Sequence, residues 1–217
     1  MKNPEITKKV KYNKETVHTR QGGGGICGFD GIVCMQHPNA FYALYDLISE
    51  KKPKTIIEIG TAAGGLTRFL DFCTKELDLQ THLIIYDVRK NHYHDDLIKD
   101  TNVDFRLYDV FSSENAHLFR DLVKDIQSTG LTLVLCDGGN KVNEFNMLSP
   151  HIKSGDIIMC HDYSHSLEYF ESHINNKIWS FCESTYEGIS SSVENHQLEP
   201  FREDIFSQCV WGSFIKI

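Results

Sequence analysis

The sequence predicts an α/β fold, with a doubly wound, mostly parallel sheet of seven strands, and two observations lead to this prediction. From residue 53 onward, short apolar runs alternate with stretches that carry apolar residues at helical spacing. The runs are apolar at almost every position, which is typical of parallel strands covered by helices on both faces. Because crossovers between parallel strands are right-handed, this alternation predicts a doubly wound sandwich.

The predicted elements follow one another in regular order. Pro38 and Asn39 begin a helix whose apolar residues recur at helical spacing. Strands are expected over 54–60, 81–88, 103–110, 131–139 and 156–162, and helices over 65–77, 94–100, 113–130, 141–155 and 164–177. Two further strands, over 178–185 and 209–217, would complete the sheet with an antiparallel last strand.

The first 37 residues differ in composition from the rest. Residues 1–20 are rich in lysine and lack apolar periodicity, which predicts an arm or a surface helix. Six glycines between Gly22 and Gly31 predict an irregular loop that acts as a lid over a ligand. A phosphate-binding loop is the alternative, but it needs a preceding strand, and none is predicted. We expect an arm and lid over 1–37 and one domain over 38–217.

Composition excludes several classes of protein. A formal charge of −8 argues against broad contact with nucleic acid, which requires a basic face. No apolar stretch approaches the ~18 residues of a membrane-spanning helix, and the first residues lack the apolar core of a signal peptide. Seven cysteines without a C-x-x-C pair predict reduced, mostly buried thiols. Together these features predict a soluble, cytoplasmic protein.

A glycine-rich turn, EIGTAAGG, follows the first predicted strand at residues 58–65. Glycines there permit a tight turn and let a ligand approach the start of a helix. The spacing differs from the G-x-G-x-x-G of dinucleotide-binding turns, and the carboxylate of Glu58 favours a cationic ligand over a pyrophosphate. Both features argue against NAD and for a cofactor with a positively charged end.

Aspartates end the second and third predicted strands. Asp87 follows the glycine turn by about 20 to 30 positions, where an acidic residue can accept hydrogen bonds from ribose hydroxyls. Asp109 ends the third strand and is placed to meet an adenine edge. Each aspartate could instead cap the helix that follows it.

Polar residues also end the fourth and fifth strands: Asp137 in the first case, His161 and Asp162 in the second. Neighbouring strand ends lie ~5 Å apart, so the three side chains would share one cavity if these strands are adjacent. Two carboxylates and an imidazole suit a divalent cation such as Mg²⁺ or Mn²⁺. In a metal-free site, Asp137 would bind an amine and Asp162 would cap a helix. His92 and His94 also have metal-like spacing, but they lie in a polar stretch.

The order of these motifs resembles class I S-adenosylmethionine-dependent methyltransferases over residues 38–217. The segments TIIEIGTAAGG, LVLCDGG, SGDIIMCHDY and LEPFREDIFSQCVWGSF carry the resemblance. They are most similar to the cephalosporin-hydroxylase-like and macrocin-type small-molecule O-methyltransferases, and more distantly to the catechol type. The resemblance implies a Rossmann-like methyltransferase fold and S-adenosylmethionine (SAM) as the cofactor. It also implies that Glu58, Gly60, Thr61 and Gly65 line the methionine part, that Asp87 binds the ribose, and that Asp109 and Val110 flank the adenine.

Metal-dependent members of this class place an aspartate after strand four and an acidic pair after strand five. Here the first position of that pair is His161, a good ligand for Mn²⁺, Fe²⁺ or Zn²⁺ and a poor one for Mg²⁺. Methyl transfer to a hydroxyl also needs a proton acceptor. The candidates are Lys141, which follows the strand-four aspartate, and His165, with His161 itself as a third. Lysine and histidine are also ordinary surface residues near the start of a helix.

We therefore expect a SAM-dependent methyltransferase that acts on the hydroxyl of a small-molecule or sugar-like acceptor, with help from a divalent cation. The alternatives are an oxidoreductase that binds NAD or another nucleotide, and a non-catalytic cofactor-binding protein of the same fold, since fold does not determine function. The expected partner is the small acceptor, with neither nucleic acid nor membrane, and assembly into a homo-oligomer stays open.

Overall fold

The structure is a computed structural model that describes residues 3–17, 25–89 and 102–217 of the chain. It begins with a short helix and a three-stranded antiparallel sheet. These elements are α1 (Pro4–Lys9), β1 (Val10–Val17), β2 (Gly25–Phe29) and β3 (Ile32–Cys34). Strand β2 is central and pairs with both of its neighbours.

The prediction of an irregular loop in the glycine-rich stretch is wrong for Gly25–Phe29. Pairing on both sides gives the backbone of β2 its hydrogen-bond partners, which offset the freedom that glycine loses on folding. The expectation that no strand precedes the glycines is also wrong, because β1 ends at Val17. A strand rather than a helix follows them, so the stretch still lacks the context of a phosphate loop. Residues 18–24 lie outside the described part of the chain.

Five parallel strands and four helices follow, and they match the predicted order. The strands are β4 (Thr55–Ile59), β5 (His82–Asp87), β6 (Val103–Leu107), β7 (Thr132–Cys136) and β8 (Ile157–Cys160). The helices are α2 (Pro38–Lys51), α3 (Gly65–Glu76), α4 (Ala116–Ile126) and α5 (Lys141–Leu148). The helix predicted over 94–100 lies outside the described residues, as do His92 and His94.

The remaining elements include several short helices and strands. They are β9 (Tyr163–Ser164), α6 (Leu167–Tyr169), a π-helical turn (Phe170–Ile174), β10 (Ser184–Thr185), α7 (Tyr186–Asn195), β11 (Leu198–Pro200), α8 (Glu203–Phe206) and β12 (Gly212–Lys216), with 3₁₀ turns at Ser113–Asn115, Ser149–His151 and Ser207–Cys209. Strand β12 runs antiparallel between β8 and β11. The main sheet has the order β11-β12-β8-β7-β4-β5-β6, which confirms a mostly parallel, seven-stranded sheet with an antiparallel last strand.

The sixth strand of this sheet is β11, and the prediction of a strand over 178–185 is wrong. In that segment Ser184 and Thr185 pair with β9 outside the main sheet, and Trp179 forms an isolated bridge with Asn175. Side chains of the segment turn instead toward the carboxyl end of β8, where Trp179 hydrogen-bonds Asp162. Strand β11 is three residues long and ends in proline, which an edge strand tolerates because one of its sides is unpaired.

Two apolar layers cover the main sheet, one on each face. Successive residues of β4 illustrate the alternation, since Ile56 packs with α2, α3 and β2 whereas Ile57 packs with α4, α5 and α7. All seven cysteines are free thiols, and six of them are buried, as their apolar surroundings predict. Among the described residues, no helix has the length and apolar character that crossing a membrane requires.

Candidate functional site

The strand order reverses at β4, which pairs with β5 on one side and with β7 on the other. In open α/β sheets, ligands bind beyond the carboxyl ends of the strands at such a reversal. The glycine turn follows β4 at this edge, and Asp87, Asp109, Asp137 and His161 lie at or just beyond the carboxyl ends of their strands. Strands β7 and β8 are adjacent in the sheet, and Cys136 lies opposite Cys160 in their register. The residues that follow the two strands can therefore share one cavity.

The turn after β4 is tightly packed. Gly60 has a left-handed backbone (φ 82°), and a side chain there would lie 2.4 Å from the Cα of Gly138 and 2.6 Å from the carbonyl oxygen of Asp137. Gly65 begins α3 and faces β3, since a side chain would lie 2.4 Å from the carbonyl oxygen of Val33. Glycine is therefore required at both positions, and Gly60 brings the turn into contact with the end of β7.

Asp87 holds the glycine turn in place. Its Oδ2 accepts hydrogen bonds from the backbone N–H groups of Thr61 (3.0 Å) and Ala62 (3.1 Å). Its Oδ1 accepts one from the N–H of Arg89 (2.8 Å). The carboxylate thus joins the end of β5 to the turn after β4.

Glu58 lies beneath the turn and is almost completely buried. Its Oε2 accepts a hydrogen bond of 2.7 Å from the hydroxyl of Thr67, which in turn lies beside the hydroxyl of Thr61. Burial raises the pKa of Glu58 well above its usual value, and the nearby carboxylates of Asp137 and Asp87 raise it further. A cationic ligand would relieve this concentration of acidic groups.

Asp109 and Val110 follow β6 and differ in exposure. Asp109 is exposed, and its Oδ1 accepts a hydrogen bond from the N–H of Phe111 (3.0 Å). Val110 is buried against the layer that covers this face of the sheet. The cap of the 3₁₀ turn that follows is Ser112, so Asp109 is not a helix cap.

Asp137, His161 and Asp162 lie together, and we call them the strand-end cluster. The Nδ1 atom of His161 lies 2.9 Å from Oδ1 of Asp137 and 3.5 Å from Oδ1 of Asp162. One ligand atom from each residue falls within 4.8 Å of the others. The predicted grouping of these three side chains is therefore present in the fold.

The imidazole of His161 is enclosed by two indole rings. Its centroid lies 4.8 Å from that of Trp211 and 5.6 Å from that of Trp179. Its Nε2 atom is buried without a hydrogen-bond partner among the described residues. Burial by itself would lower the pKa of His161, but the adjacent carboxylates of Asp137 and Asp162 outweigh it and raise this pKa.

Lys141 is part of the same assembly, although it begins a helix where a surface lysine is common. It is buried, with Nζ 3.1 Å from Oδ2 of Asp162, 2.9 Å from Oε2 of Glu183 and 3.0 Å from the carbonyl oxygen of Gly138. Burial lowers the pKa of Lys141, but the carboxylates of Asp162, Asp137 and Glu183 outweigh it, so the pKa is raised. The side chain is accordingly held as an ammonium ion.

Gln36 connects the cluster to the last strand. Its amide donates a 2.6 Å hydrogen bond to Oδ2 of Asp137 and accepts one of 2.8 Å from the indole N–H of Trp211. Sequence reasoning did not identify Gln36, Trp179 or Glu183 as part of the site. No spacing in the sequence marks them, since Gln36 follows the glycine-rich stretch and Trp179 and Glu183 lie in a segment predicted to be a strand.

His165 lies apart from the hydrogen bonds described above. Its side chain is about two-thirds exposed, with 65% of its surface accessible, and its ring stacks on Tyr186 at 5.7 Å. Its Nδ1 atom lies 3.6 Å from a carboxylate oxygen of Glu203. Among the described residues, the side chain of His165 contacts Glu203 and Tyr186 rather than the strand-end cluster, so the fold brings Lys141 but not His165 to Asp162.

The strand-end cluster offers the right donors for a divalent cation. Two carboxylates and one imidazole form a mixed oxygen and nitrogen set of the kind that suits Mn²⁺, Fe²⁺ or Zn²⁺. The buried Nε2 of His161 is consistent with a role beyond packing, because buried imidazole nitrogens normally have partners. In chemical terms, the three residues fit a metal site at the switch point of the sheet.

The comparisons with known proteins agree with this arrangement. A model of the rhamnosyl O-methyltransferase/CmcI family matches residues 27–212. An apo structure of CmcI superposes with a TM-score of 0.62 at 15% identity, and a structure of CmcI with Mg and SAM gives 0.60 at 16% identity. Both cover 88% of this chain and 76% of the other.

A more distant likeness is to an SAH-bound methyltransferase of Podospora anserina, with a TM-score of 0.51 and 12% identity over 82% of this chain and 78% of that one. No curated protein sequence matches the chain. At these identities the solved structures establish the shared fold, whereas the family model spans most of the sequence.

Proposed function

This chain belongs to the rhamnosyl O-methyltransferase/CmcI family, and we propose that it methylates a hydroxyl of a small, sugar-like acceptor with the help of a divalent cation. The family match confirms the resemblance to class I methyltransferases, and the chain is a SAM-dependent methyltransferase. The finer proposal depends on one observation. The strand-end cluster lies directly beside the glycine turn, because Gly60 contacts the backbone of Asp137 and Gly138.

We propose that SAM binds along the edge formed by β4, β5 and β6. Gly60, Thr61 and Gly65 would shape the turn beside its methionine part, and the acidic surroundings of Glu58 would favour its positively charged groups. Asp87 would share its carboxylate between the backbone of the turn and the ribose hydroxyls. The adenine would then lie between Asp109 and Val110 at the end of β6.

We propose that Asp137, His161 and Asp162 hold the divalent cation. A cation at that position lowers the pKa of an acceptor hydroxyl and orients its oxygen. Asp137 is the most exposed of the three side chains, at 15%, and so would face the acceptor. Gln36 would position it, since it donates to the carboxylate oxygen that His161 does not contact.

Lys141 is better suited to holding charge than to accepting a proton. A general base must be able to exist in its neutral form near the working pH, and the three acidic neighbours of Lys141 keep its ammonium charged. We propose that Lys141 stays protonated throughout. Because His161 would hold the cation, we propose water as the proton acceptor, with His165, which lies outside the strand-end cluster, as the alternative.

Calorimetric titration of the full chain with SAM, S-adenosylhomocysteine and NAD tests the cofactor. We expect binding of SAM and S-adenosylhomocysteine with micromolar affinity and none of NAD, because Glu58 and the turn spacing disfavour a pyrophosphate. An Asp87→Ala variant should weaken SAM binding, with Asp78→Ala, an exposed aspartate elsewhere, as the control. Binding of NAD alone would contradict the proposal.

Methyl transfer is tested separately, by following the formation of S-adenosylhomocysteine over a panel of sugar and other small hydroxyl acceptors with and without Mn²⁺. We expect turnover on a hydroxyl acceptor that depends on Asp137. Tight SAM binding with no turnover on any acceptor would favour the non-catalytic alternative.

A further inference from the structure

We propose that Lys141 is a built-in competitor of the divalent cation, which sets how tightly the strand-end cluster binds it. The inference rests on the proposed metal site, and it assigns to Lys141 a role different from that of a base. The ammonium group lies 3.1 Å from Oδ2 of Asp162, while Oδ1 of the same carboxylate lies 3.5 Å from Nδ1 of His161. A divalent cation must therefore share Asp162 with a positive charge that the protein itself supplies.

The carboxylates of the cluster are already engaged by protein donors. Oδ1 and Oδ2 of Asp137 face His161 and Gln36, at 2.9 and 2.6 Å. Oδ1 of Asp162 accepts a 2.7 Å hydrogen bond from the indole of Trp179, and its Oδ2 faces Lys141. Each of the four oxygens thus has a partner within the fold, so the acidic groups are compensated without an added ion.

Lys141 cannot move aside as a surface lysine would. Its side chain is 8% exposed, and the carbonyl oxygen of Gly138 and the carboxylate of Glu183 hold Nζ from two further directions. Glu183 also accepts a hydrogen bond from the backbone N–H of Lys141, so it binds both the backbone and the side chain of this residue. The positive charge consequently stays beside Asp162 when a cation arrives.

Glu183 modulates this competition. Its carboxylate lies 2.9 Å from Nζ, against 3.1 Å for that of Asp162, so its negative charge offsets part of the ammonium charge that repels a cation at Asp162. Without Glu183, Asp162 would be the remaining carboxylate in direct contact with Lys141 among the described residues. Removal of the Lys141 charge should therefore raise the metal affinity, and removal of the Glu183 charge should lower it.

The test is equilibrium binding of Mn²⁺ to the full chain, followed by the electron paramagnetic resonance signal of the free ion. Lys141→Met removes the charge, and we expect Mn²⁺ to bind at least about tenfold more tightly, because like charges a few ångströms apart repel strongly in a buried site. Glu183→Gln should weaken binding by a similar factor. Lys141→Arg keeps the charge and should not tighten binding.

Lys153→Met is the matched control. Lys153 pairs with buried Asp156 at 2.7 Å at the opposite end of β8, so its loss removes an equivalent ion pair away from the site. Its Mn²⁺ affinity should equal that of the wild type. If Lys141→Met does not fold, the weaker Mn²⁺ binding expected of Glu183→Gln tests the proposal by itself.

Unchanged Mn²⁺ affinity in both Lys141→Met and Glu183→Gln, with Asp137→Ala still abolishing binding, would overturn the proposal and leave the metal site intact. Absence of Mn²⁺ binding in every variant, Lys141→Met included, would overturn the metal site together with this inference. In that case SAM binding and methyl transfer would still decide the proposed enzymatic function independently.

Discussion

Asp162 shows how a single residue sets the geometry of the site. Its backbone is left-handed (φ 52°), a conformation that aspartate adopts more readily than most residues. The chain therefore turns immediately after β8, and the carbonyl oxygen of Asp162 accepts hydrogen bonds from the backbone N–H groups of Glu183 (3.0 Å) and Ser184 (3.1 Å). One residue thus anchors the segment that delivers Glu183 to Lys141.

Glu144 lies behind the site and is a second residue with an unusual setting. Its carboxylate accepts hydrogen bonds from the backbone N–H groups of Gly138 and Asn140, both at 3.0 Å. Burial raises its pKa from 4.5 to about 7, although these two hydrogen bonds lower it. The side chain braces the loop between β7 and α5 at the cost of burying an acidic group.

This pKa predicts a pH-dependent free energy of unfolding. Between about pH 4.5 and 7 the folded protein binds more protons at Glu144 than the unfolded chain does, so its stability falls as pH rises through that window. The loss contributed by this residue should reach about 3 kcal/mol at most. Urea denaturation of Glu144→Gln should show a flatter dependence over this range than the wild type.

Glu187→Gln provides the control for this experiment, because Glu187 is exposed on α7. It should keep the wild-type slope. A Glu144→Gln protein whose stability falls with pH as steeply as that of the wild type would show that other groups cause the dependence.

At the scale of the elements, the site depends on a close contact between the ends of β4 and β7. No Cβ fits at Gly60, where the nearest backbone atom would be 2.4 Å away, and its φ of 82° disfavours any other residue. The two strand ends can approach this closely because Gly60 has no side chain, whereas a side chain at Gly138 would instead meet the carboxylate of Glu144. This approach places the glycine turn beside the strand-end cluster.

Gly60→Ala should therefore destabilise the protein by about 3 kcal/mol or more and abolish SAM binding, because the strands must separate. Thermal unfolding and calorimetry measure the two effects. Gly139→Ala is the matched control, since a Cβ there meets no atom within 4 Å, and it should change stability little. Equal stability of the two variants would mean that β4 and β7 separate at little cost.

At the scale of the whole molecule, the N-terminal sheet belongs to the same core as the main sheet. Phe29 of β2 is completely buried, and its ring packs against Phe41 (5.5 Å), Phe69 (5.2 Å) and Phe72 (5.4 Å). Ile6 of α1 joins the same apolar layer. The division into an arm and lid over 1–37 and a domain over 38–217 stays a proposal, with the qualification that the two parts share side-chain packing.

Phe29→Ala should lower the free energy of unfolding of the entire protein by about 3 to 5 kcal/mol, in a single transition. Urea denaturation followed by both far-ultraviolet circular dichroism and tryptophan fluorescence checks this, since Trp179 and Trp211 report on the surroundings of His161. Phe181→Ala, at a ring that is 53% exposed, should cost much less. Two separate transitions would show instead that residues 1–37 fold independently.

The sequence by itself determined the sheet and the positions of its main polar residues. Strands β4, β5, β7 and β8 are apolar at most positions because helices cover both of their faces, and this pattern is visible without coordinates. Asp137, His161 and Asp162 could be grouped because parallel strands end at one edge. Short elements such as β2 and β11 carried no such pattern and were missed.

The tertiary structure alone decided what surrounds those residues. Gln36 and Glu183 lie 101 and 46 positions from Asp137 along the chain, and no local propensity relates them to it. The fold brings Gln36 and Glu183 to the cluster, where they hydrogen-bond Asp137 and Lys141. The ion pairs with Glu183 and Asp162 hold Lys141 as a buried ammonium. Periodicity records which faces are buried, whereas the partners of a buried charge depend on distances across the whole fold.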